Sequence, residues 1–240
     1  MLSLNVKKTN YILFGNKNLP DINIFINNQN IGRVLQTKFL GVIIQHNLKW
    51  HAHIQLIQNK ISKTVGILNK IKHVLSTSHL RLLYQSLIEP YLNYGCIIWG
   101  SPQKNTLLER LHKLQKRAAR IITYANFKAH SKPIFLKLSI LTVYDLCLTQ
   151  ILHFVYKSLK SLLPSRYNDY FIQLKQTHAY QTRGSIHNLY VPRALKICRR
   201  NTLRIRASKH WNVLPHFLKE ALTFGTFKTQ LKIYLFSQYL

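Results

Sequence analysis

The first 48 residues alternate in the manner of β-structure. Residues 9–14 form a β-branched and aromatic run, which predicts a strand. Isoleucines occupy every second position in 22–26, turn-forming residues follow at 27–30, and an apolar stretch resumes at 31–34. That pattern predicts a β-hairpin. Residues 38–44 are a further short apolar run and predict one more strand, buried in the core.

Helical periodicity begins after Trp50. Apolar side chains recur there every three or four residues, which predicts an amphipathic helix. Ser76, Thr77 and Ser78 are candidate N-caps for the next apolar stripe, and Asn105 can cap the stripe after that. A threonine–aspartate capping box predicts a further helix from Thr142, and residues 224–240 predict a closing helix.

Two places interrupt this helical pattern. Pro90 falls inside the helix expected after Ser76 and predicts a kink there. Residues 177–215 lose the helical period. Within them, residues 202–206 alternate apolar and basic side chains, which predicts a strand with one cationic face.

These patterns together predict an α+β fold that is mainly helical. We expect three segments: a β-rich region at 1–48, a helical domain at 49–165, and a C-terminal region at 166–240 that ends in a helix. We find no internal repeat and no low-complexity segment.

The net charge of the chain limits the class of partner that it is expected to bind. The chain has 35 Lys and Arg against 6 Asp and Glu, a formal net charge of +29. Such an excess favours a nucleic acid partner, well ahead of an acidic membrane surface. The cations are spread along the chain, which predicts a folded basic surface rather than a basic tail. Since no run approaches ~18 apolar residues, we expect no membrane span.

Candidate phosphate contacts cluster on the helix after Asn105, which has Glu109 as its one acid. The alternative is an ordinary solvated helix face. The candidates on this helix are Arg110, Lys113, Lys116, Arg117 and Arg120. Basic, polar segments nearer the C-terminus contribute Arg183, Arg199, Arg200, Arg204 and Arg206.

The residue types needed for catalysis are sparse and scattered. No two of the six acids are close in sequence, whereas two-metal phosphoryl transfer needs paired carboxylates. His51 and His53 are a tight histidine pair without a neighbouring Cys or carboxylate, so we expect no metal site. The three cysteines suggest neither a disulfide scaffold nor a zinc motif, which is typical of an intracellular protein, nuclear or cytoplasmic.

Six motifs in order carry a family resemblance across essentially the whole chain. Each motif alone is weakly specific, and their shared order is the strong signal. The chain resembles the C-terminal part of reverse transcriptases from non-LTR (LINE-type, jockey-like) retrotransposons. The matching stretches are residues 4–14, 38–54, 83–100, 114–122, 178–183 with 191–193, and 211–215.

The resemblance implies a palm remnant with a primer-grip-like hairpin at 1–48 and a thumb at 49–165. In the intact family, a lysine of the opening segment is thought to protonate pyrophosphate, and the grip holds the primer by its backbone. The residues that the resemblance assigns to these contacts are Lys7, Lys8, Lys38, Gly41, Lys49 and Trp50.

The resemblance also implies that the catalytic aspartates lie before Met1. We therefore expect a truncated protein that binds RNA or DNA without sequence preference and is not an enzyme on its own. The Mg²⁺ of intact enzymes would be held by residues absent here, so no cofactor is expected in this chain. A palm-bearing reverse transcriptase chain is a further expected partner. The alternatives are a maturase-like RNA-binding module, an inert retrotransposon relic, or a subunit that borrows its carboxylates.

Overall fold

The computed structural model describes residues 5–15, 20, 22–103, 105–177 and 187–240. They form two compact units, one up to Lys60 and one from Ile61 to Leu240. The first long helix, α1 (His51–Ile71), contains the boundary between the units. The expectation of a mainly helical α+β protein is confirmed at the level of class.

The described residues of the first unit form five short strands. A three-stranded sheet has the order β1-β3-β2, in which β1 runs parallel to β3 and β2 runs antiparallel to it. A separate antiparallel hairpin is made by β4 and β5. The strands are β1 (Asn10–Tyr11), β2 (Ile24–Ile26), β3 (Gln29–Arg33), β4 (Gln36–Phe39) and β5 (Val42–Gln45).

The hairpin predicted at 22–34 is confirmed. Its two turn residues, Asn27 and Asn28, both have positive φ angles, of 50° and 58°. Such a two-residue turn matches the twist of the flanking strands, and asparagine tolerates the left-handed conformation better than most residues. The strand predicted at 9–14 is shorter than expected and covers only β1.

The single buried strand predicted at 38–44 is wrong. The structure places β4 and β5 there instead, joined by Leu40 and Gly41. Lys38 and Phe39 are exposed, and only Val42 of the run is buried. The run therefore folds back on itself, because a glycine that can adopt positive φ interrupts the apolar residues.

The second unit is mainly helical in its described residues, but those between Leu159 and Ile197 are largely irregular and contain one isolated β-bridge, Gln173 with Leu189. Three N-caps expected from the sequence are confirmed, since the side chains of Ser76, Asn105 and Thr142 each accept a hydrogen bond from the backbone N–H three residues on. The helices after α1 are α2 (Thr77–Leu87), α3 (Glu89–Asn93), α4 (Cys96–Trp99), α5 (Thr106–Thr123), α6 (Ser131–Leu138), α7 (Val143–Leu159), α8 (Ile197–Arg200), α9 (Leu203–Val213), α10 (His216–Lys219) and α11 (Phe224–Ser237). Short 3₁₀ helices lie at Val6–Lys8, Ser165–Tyr167 and Leu174–Gln176.

Helix α7 is the centre of this unit, and it packs against α3, α4, α5, α9 and α11. On the α11 side, Tyr156 stacks on Phe227 with ring centroids 4.6 Å apart. On the α4 side, the buried thiols of Cys96 and Cys147 hydrogen-bond to each other, a pairing that the sequence did not predict.

The predicted cationic strand at 202–206 is also wrong. Thr202 instead precedes α9, in which Ile205, Ala207, Ser208 and Trp211 are buried. Pro90 does more than kink its helix: α2 ends at Leu87, and a separate short helix, α3, carries the proline in its first turn.

No described helix by itself is both long and apolar enough to cross a bilayer. Helices α6 and α7 meet the same length and composition test only together, as a pair bent by 51°.

Candidate nucleic-acid interface

An outward-facing row of cations runs along α5. Arg110, Lys113 and Arg117 are exposed, whereas the opposite face of the helix is buried in the second unit. The three lie at successive spacings of three and four residues, so their side chains leave the helix on one side. We call these three residues the α5 stripe.

The other two cations predicted on this helix have partners within the fold. Lys116 forms an ion pair with Glu109, with 3.7 Å between Nζ and Oε1. Arg120 donates from Nε and Nη2 to the carbonyl oxygen of Ala129, at 3.2 and 2.9 Å. Arg120 therefore helps to hold the loop between α5 and α6.

Acidic groups of the second unit are tied into local contacts. Glu109 accepts from the hydroxyl of Tyr144 at 2.9 Å, and Asp145 accepts from the hydroxyls of Thr142 and Tyr239. Burial raises the pKa of Glu109, but the Tyr144 hydrogen bond and the nearby Lys116, His112 and Lys113 together outweigh it and leave this pKa below its usual value. Asp145 is directed at fold contacts, whereas Glu109 also interacts electrostatically with Lys113 and so offsets the α5 stripe in part.

The β4–β5 hairpin presents an exposed tip in the first unit. Phe39 and Leu40 are 61% and 73% exposed, and Lys38 beside them is exposed as well. Leu40 and Gly41 have φ angles of 44° and 81°, which make a two-residue turn of the left-handed kind. Leucine is strained in this conformation, so the tip combines exposed apolar surface with a strained backbone.

The base of this hairpin is attached to the first turn of α1. Nδ1 of His53 accepts from the backbone N–H of Ile43 at 3.2 Å, and Oε1 of Gln45 accepts from the N–H of Ala52 at 3.1 Å. His53 is buried, and burial, with a smaller effect of Lys60, lowers its pKa. The neutral imidazole is the form that accepts this hydrogen bond, so His53 has a structural role.

The connection from β5 to α1 is also conformationally unusual. Leu48 and Trp50 have φ angles of 53° and 62°, and the carbonyl of Trp50 accepts from Ile54 at 2.9 Å. Lys49 between them is exposed, and Trp50 is half-buried. The predicted candidates Lys49 and Trp50 thus lie at the start of α1, and Lys38 and Gly41 lie at the hairpin.

The remaining predicted cations fall into different surroundings. Arg199 and Arg200 are exposed on α8, and Arg204 is half-buried on α9. The guanidinium of Arg206 donates to the carbonyl oxygens of Gly100 (2.9 Å) and Ile97 (3.5 Å), and burial lowers its pKa. Arg206 therefore ties α9 to the end of α4.

The last three predicted positions are Lys7, Lys8 and Arg183. Lys7 and Lys8 fall in the 3₁₀ helix Val6–Lys8, where Lys8 is exposed. Arg183, with the motif at 178–183, lies outside the described residues.

One group of side chains went unrecognised in the sequence. His187, His216 and Glu220 bring their ligand-type atoms within 4.8 Å of one another. The spacing from His216 to Glu220 is one helical turn and could have been noticed. Their approach to His187 depends on tertiary structure, which no local pattern reveals.

Comparison with known proteins finds a retrotransposon relative. Over 148 residues the chain is 25% identical to a probable RNA-directed DNA polymerase from transposon X-element of Drosophila melanogaster. That stretch covers 60% of this chain and 16% of the relative's own length. No family model matches the chain, and no solved structure matches it significantly. The resemblance drawn from the ordered motifs, to a polymerase of this LINE type, is confirmed.

Proposed function

We propose that this chain, a relative of retrotransposon reverse transcriptases, is a nucleic-acid-binding piece that grips a template–primer duplex by its phosphates. The observation that carries the proposal is the α5 stripe. It presents three exposed cations on one face of a helix that contains a single acid, Glu109, and that acid is hydrogen-bonded to Tyr144 and paired with Lys116.

The geometry of the stripe suits a polyanion. Arg110 and Arg117 are separated by two helical turns, about 10 Å along the axis at ~1.5 Å per residue. Duplex DNA carries about one negative charge per ~1.7 Å, so a surface row of this length faces several phosphates. Phosphate contacts carry no base information, and the binding is therefore independent of sequence.

The β4–β5 hairpin supplies a second contact. Lys38 provides a cation, and the exposed rings and methyl groups of Phe39 and Leu40 provide apolar surface for a sugar or an unstacked base. Gly41, one of the two turn residues, has no side chain, so a strand backbone can approach the turn closely at that residue. In this proposal the hairpin contacts the primer strand, as the family resemblance implies.

The chain by itself carries out no polymerisation in this proposal. Two-metal phosphoryl transfer needs paired carboxylates, whereas Glu109 and Asp145 are occupied in the fold and Glu89 is partly buried, with a raised pKa caused mainly by that burial. The Mg²⁺-binding aspartates would come from a palm-bearing reverse transcriptase chain.

The test is a salt-dependent binding measurement on the full chain. Fluorescence anisotropy with a labelled RNA–DNA duplex, from ~50 to ~200 mM salt, is expected to show a steep linear loss of log affinity. The variant Arg110→Gln/Lys113→Gln/Arg117→Gln should bind more weakly and reduce the slope by about 2 to 3, since each lost phosphate contact contributes roughly 0.9.

A matched control removes the same charge from three other exposed cations, in Arg166→Gln/Lys175→Gln/Arg193→Gln. This control variant should keep most of the wild-type slope of log affinity against log salt concentration. Equal losses in both triple variants would show that net charge, not the α5 stripe, sets the affinity. A strong preference for one structured RNA over a generic duplex would instead support the maturase-like alternative. With Mg²⁺ and nucleotides, the chain alone should give no primer extension.

A further inference from the structure

Two histidines and a glutamate converge in the second unit, and none of the three is a proposed phosphate contact. His216 begins α10, and Glu220 follows one turn later, where its N–H donates to the carbonyl of His216 at 3.1 Å. Nε2 of His187 lies 3.3 Å from Oε1 of Glu220, and the two imidazole centroids are 6.0 Å apart. All three side chains thus offer a ligand atom to one small volume, within 4.8 Å of each other.

The third ligand is held in place by the surrounding fold. The backbone carbonyl of His187 accepts from the indole N–H of Trp211 at 2.9 Å. Next to it, Asn188 accepts from Nζ of Lys219 at 2.9 Å, and the same ammonium donates to the carbonyl of Asn212 at 3.0 Å. Because Lys219 belongs to α10, the helix that carries His216 also anchors the segment that carries His187.

We propose that His187, His216 and Glu220 form a binding site for a zinc ion. Imidazole nitrogen and carboxylate oxygen at bond lengths of about 2.0 to 2.2 Å are ordinary zinc ligands. In a tetrahedral site such bonds place neighbouring ligand atoms roughly 3.3 Å apart, which is the separation of His187 and Glu220 here. His216 is exposed, so its ring can rotate to close the remaining gap.

The chemistry selects against the commoner hard cations. Two of the three donors are imidazole nitrogens, whereas Mg²⁺ and Ca²⁺ prefer oxygen ligands. Tetrahedral zinc with three protein ligands takes a fourth ligand from solvent. A cavity of about 290 Å³, lined in part by His187, Trp211 and Glu220, adjoins the site and has room for that water.

Zinc at this site would fasten the chain at His187 to α10. Only the folded protein brings the three ligands together, so zinc binding adds to the stability of the second unit by mass action. The site uses none of the proposed phosphate-contact residues, so it stands whether or not the chain binds nucleic acid.

The test uses the full chain without a histidine tag, stripped of metal by a chelator. Titration with Zn²⁺, followed by calorimetry and by elemental analysis after dialysis, should give one bound zinc per chain and a higher melting temperature. Equimolar Mg²⁺ should give neither. With Co²⁺ in place of zinc, an intense visible absorption band would report four-coordinate geometry, and a weak six-coordinate spectrum would overturn the proposal.

Two variants and a control make the assignment specific. His216→Gln and Glu220→Gln each remove one ligand from an exposed side chain, so the fold should persist, as circular dichroism will check. Each should weaken zinc binding at least about tenfold and abolish the rise in melting temperature. The exposed His73, changed to Gln, should leave both unchanged. Wild-type zinc affinity in either ligand variant would refute the site.

Discussion

His153 lies on α7 between two rings of α11, with centroids 5.1 Å from Phe224 and 6.2 Å from Phe227. Its Nε2 is buried and has no hydrogen-bond partner among the described residues. Burial, reinforced by the charges of Lys228 and Lys157, lowers the pKa of His153 to about 4. The folded protein therefore keeps this imidazole neutral.

That depressed pKa predicts an acid-sensitive fold. A histidine in the unfolded chain has a pKa of ~6.5. Between about pH 6.5 and about pH 4, His153 is therefore protonated in the unfolded chain and neutral in the folded protein. The contribution of His153 to the free energy of unfolding should be constant above pH ~6.5 and decrease as the pH falls from there to about 4. Below about 4 this group should cause no further loss of stability. Urea unfolding at a series of pH values measures the slope.

The variant His153→Phe should reduce the dependence of the unfolding free energy on pH, because it removes the titrating group. Phenylalanine keeps an aromatic ring at this position, so the packing against Phe224 and Phe227 should persist. His53 and His210 also have pKa values lowered mainly by burial, so some slope remains. The exposed His73, changed to Phe, provides the control and should leave the slope as it was. An unchanged slope in His153→Phe would contradict the assignment.

Single residues also show where local sequence was informative. Ser76, Asn105 and Thr142 were predictable as caps, because the hydrogen bond of each reaches only three residues along the chain. The turn at Leu40 and Gly41 was not, since leucine rarely adopts positive φ and the apolar run reads as one continuous strand.

At the scale of elements, one buried glutamine joins three parts of the second unit. Nε2 of Gln115, on α5, donates to the hydroxyl of Tyr84 on α2 and to the carbonyl of Leu141, both at 2.8 Å. Its Oε1 accepts from the N–H of Val143 in the first turn of α7 at 2.9 Å. Since Gln115 is fully buried, water cannot replace these partners.

We therefore predict that Gln115→Leu destabilises the protein by about 3 kcal/mol, because it strands a buried hydroxyl, carbonyl and N–H together. Tyr84→Phe should cost only about 1 kcal/mol, since Gln115 keeps its bonds to Leu141 and Val143. Chemical denaturation measures both. Equal costs would mean that shape, rather than hydrogen bonding, decides the stability here.

Helix α9 shows why the strand predicted at residues 202–206 was wrong. Over residues 202–206 the apolar and basic side chains alternate, which matches a strand. The buried residues of α9 instead recur at Ile205, Ser208 and Trp211, and the small Ala207 and Ser208 are buried where α9 packs on α7. A pattern based on large apolar residues misses contacts made by small ones. Arg206 contacts the end of α4, which is distant in sequence and which no local pattern reveals, and its predicted phosphate contact stays a prediction.

At the scale of the whole molecule, charge opposes folding and favours binding. With a formal net charge of +29 on 240 residues, the compact state suffers self-repulsion. Local ion pairs such as Lys116 with Glu109 relieve little of it, because only six acids are present. A polyanion relieves more, since it supplies many negative charges at a single surface.

Two opposite responses to salt follow from this balance. Between ~50 and ~200 mM salt, the melting temperature of the free chain should rise, because screening weakens repulsion between exposed cations. Over the same range the affinity for duplex should fall steeply, because counterion release contributes less free energy. A duplex or heparin added at low salt should raise the melting temperature most of all. If salt lowered the melting temperature of the free chain, attractive ion pairs would outweigh repulsion, and the excess of positive charge would need an explanation other than binding.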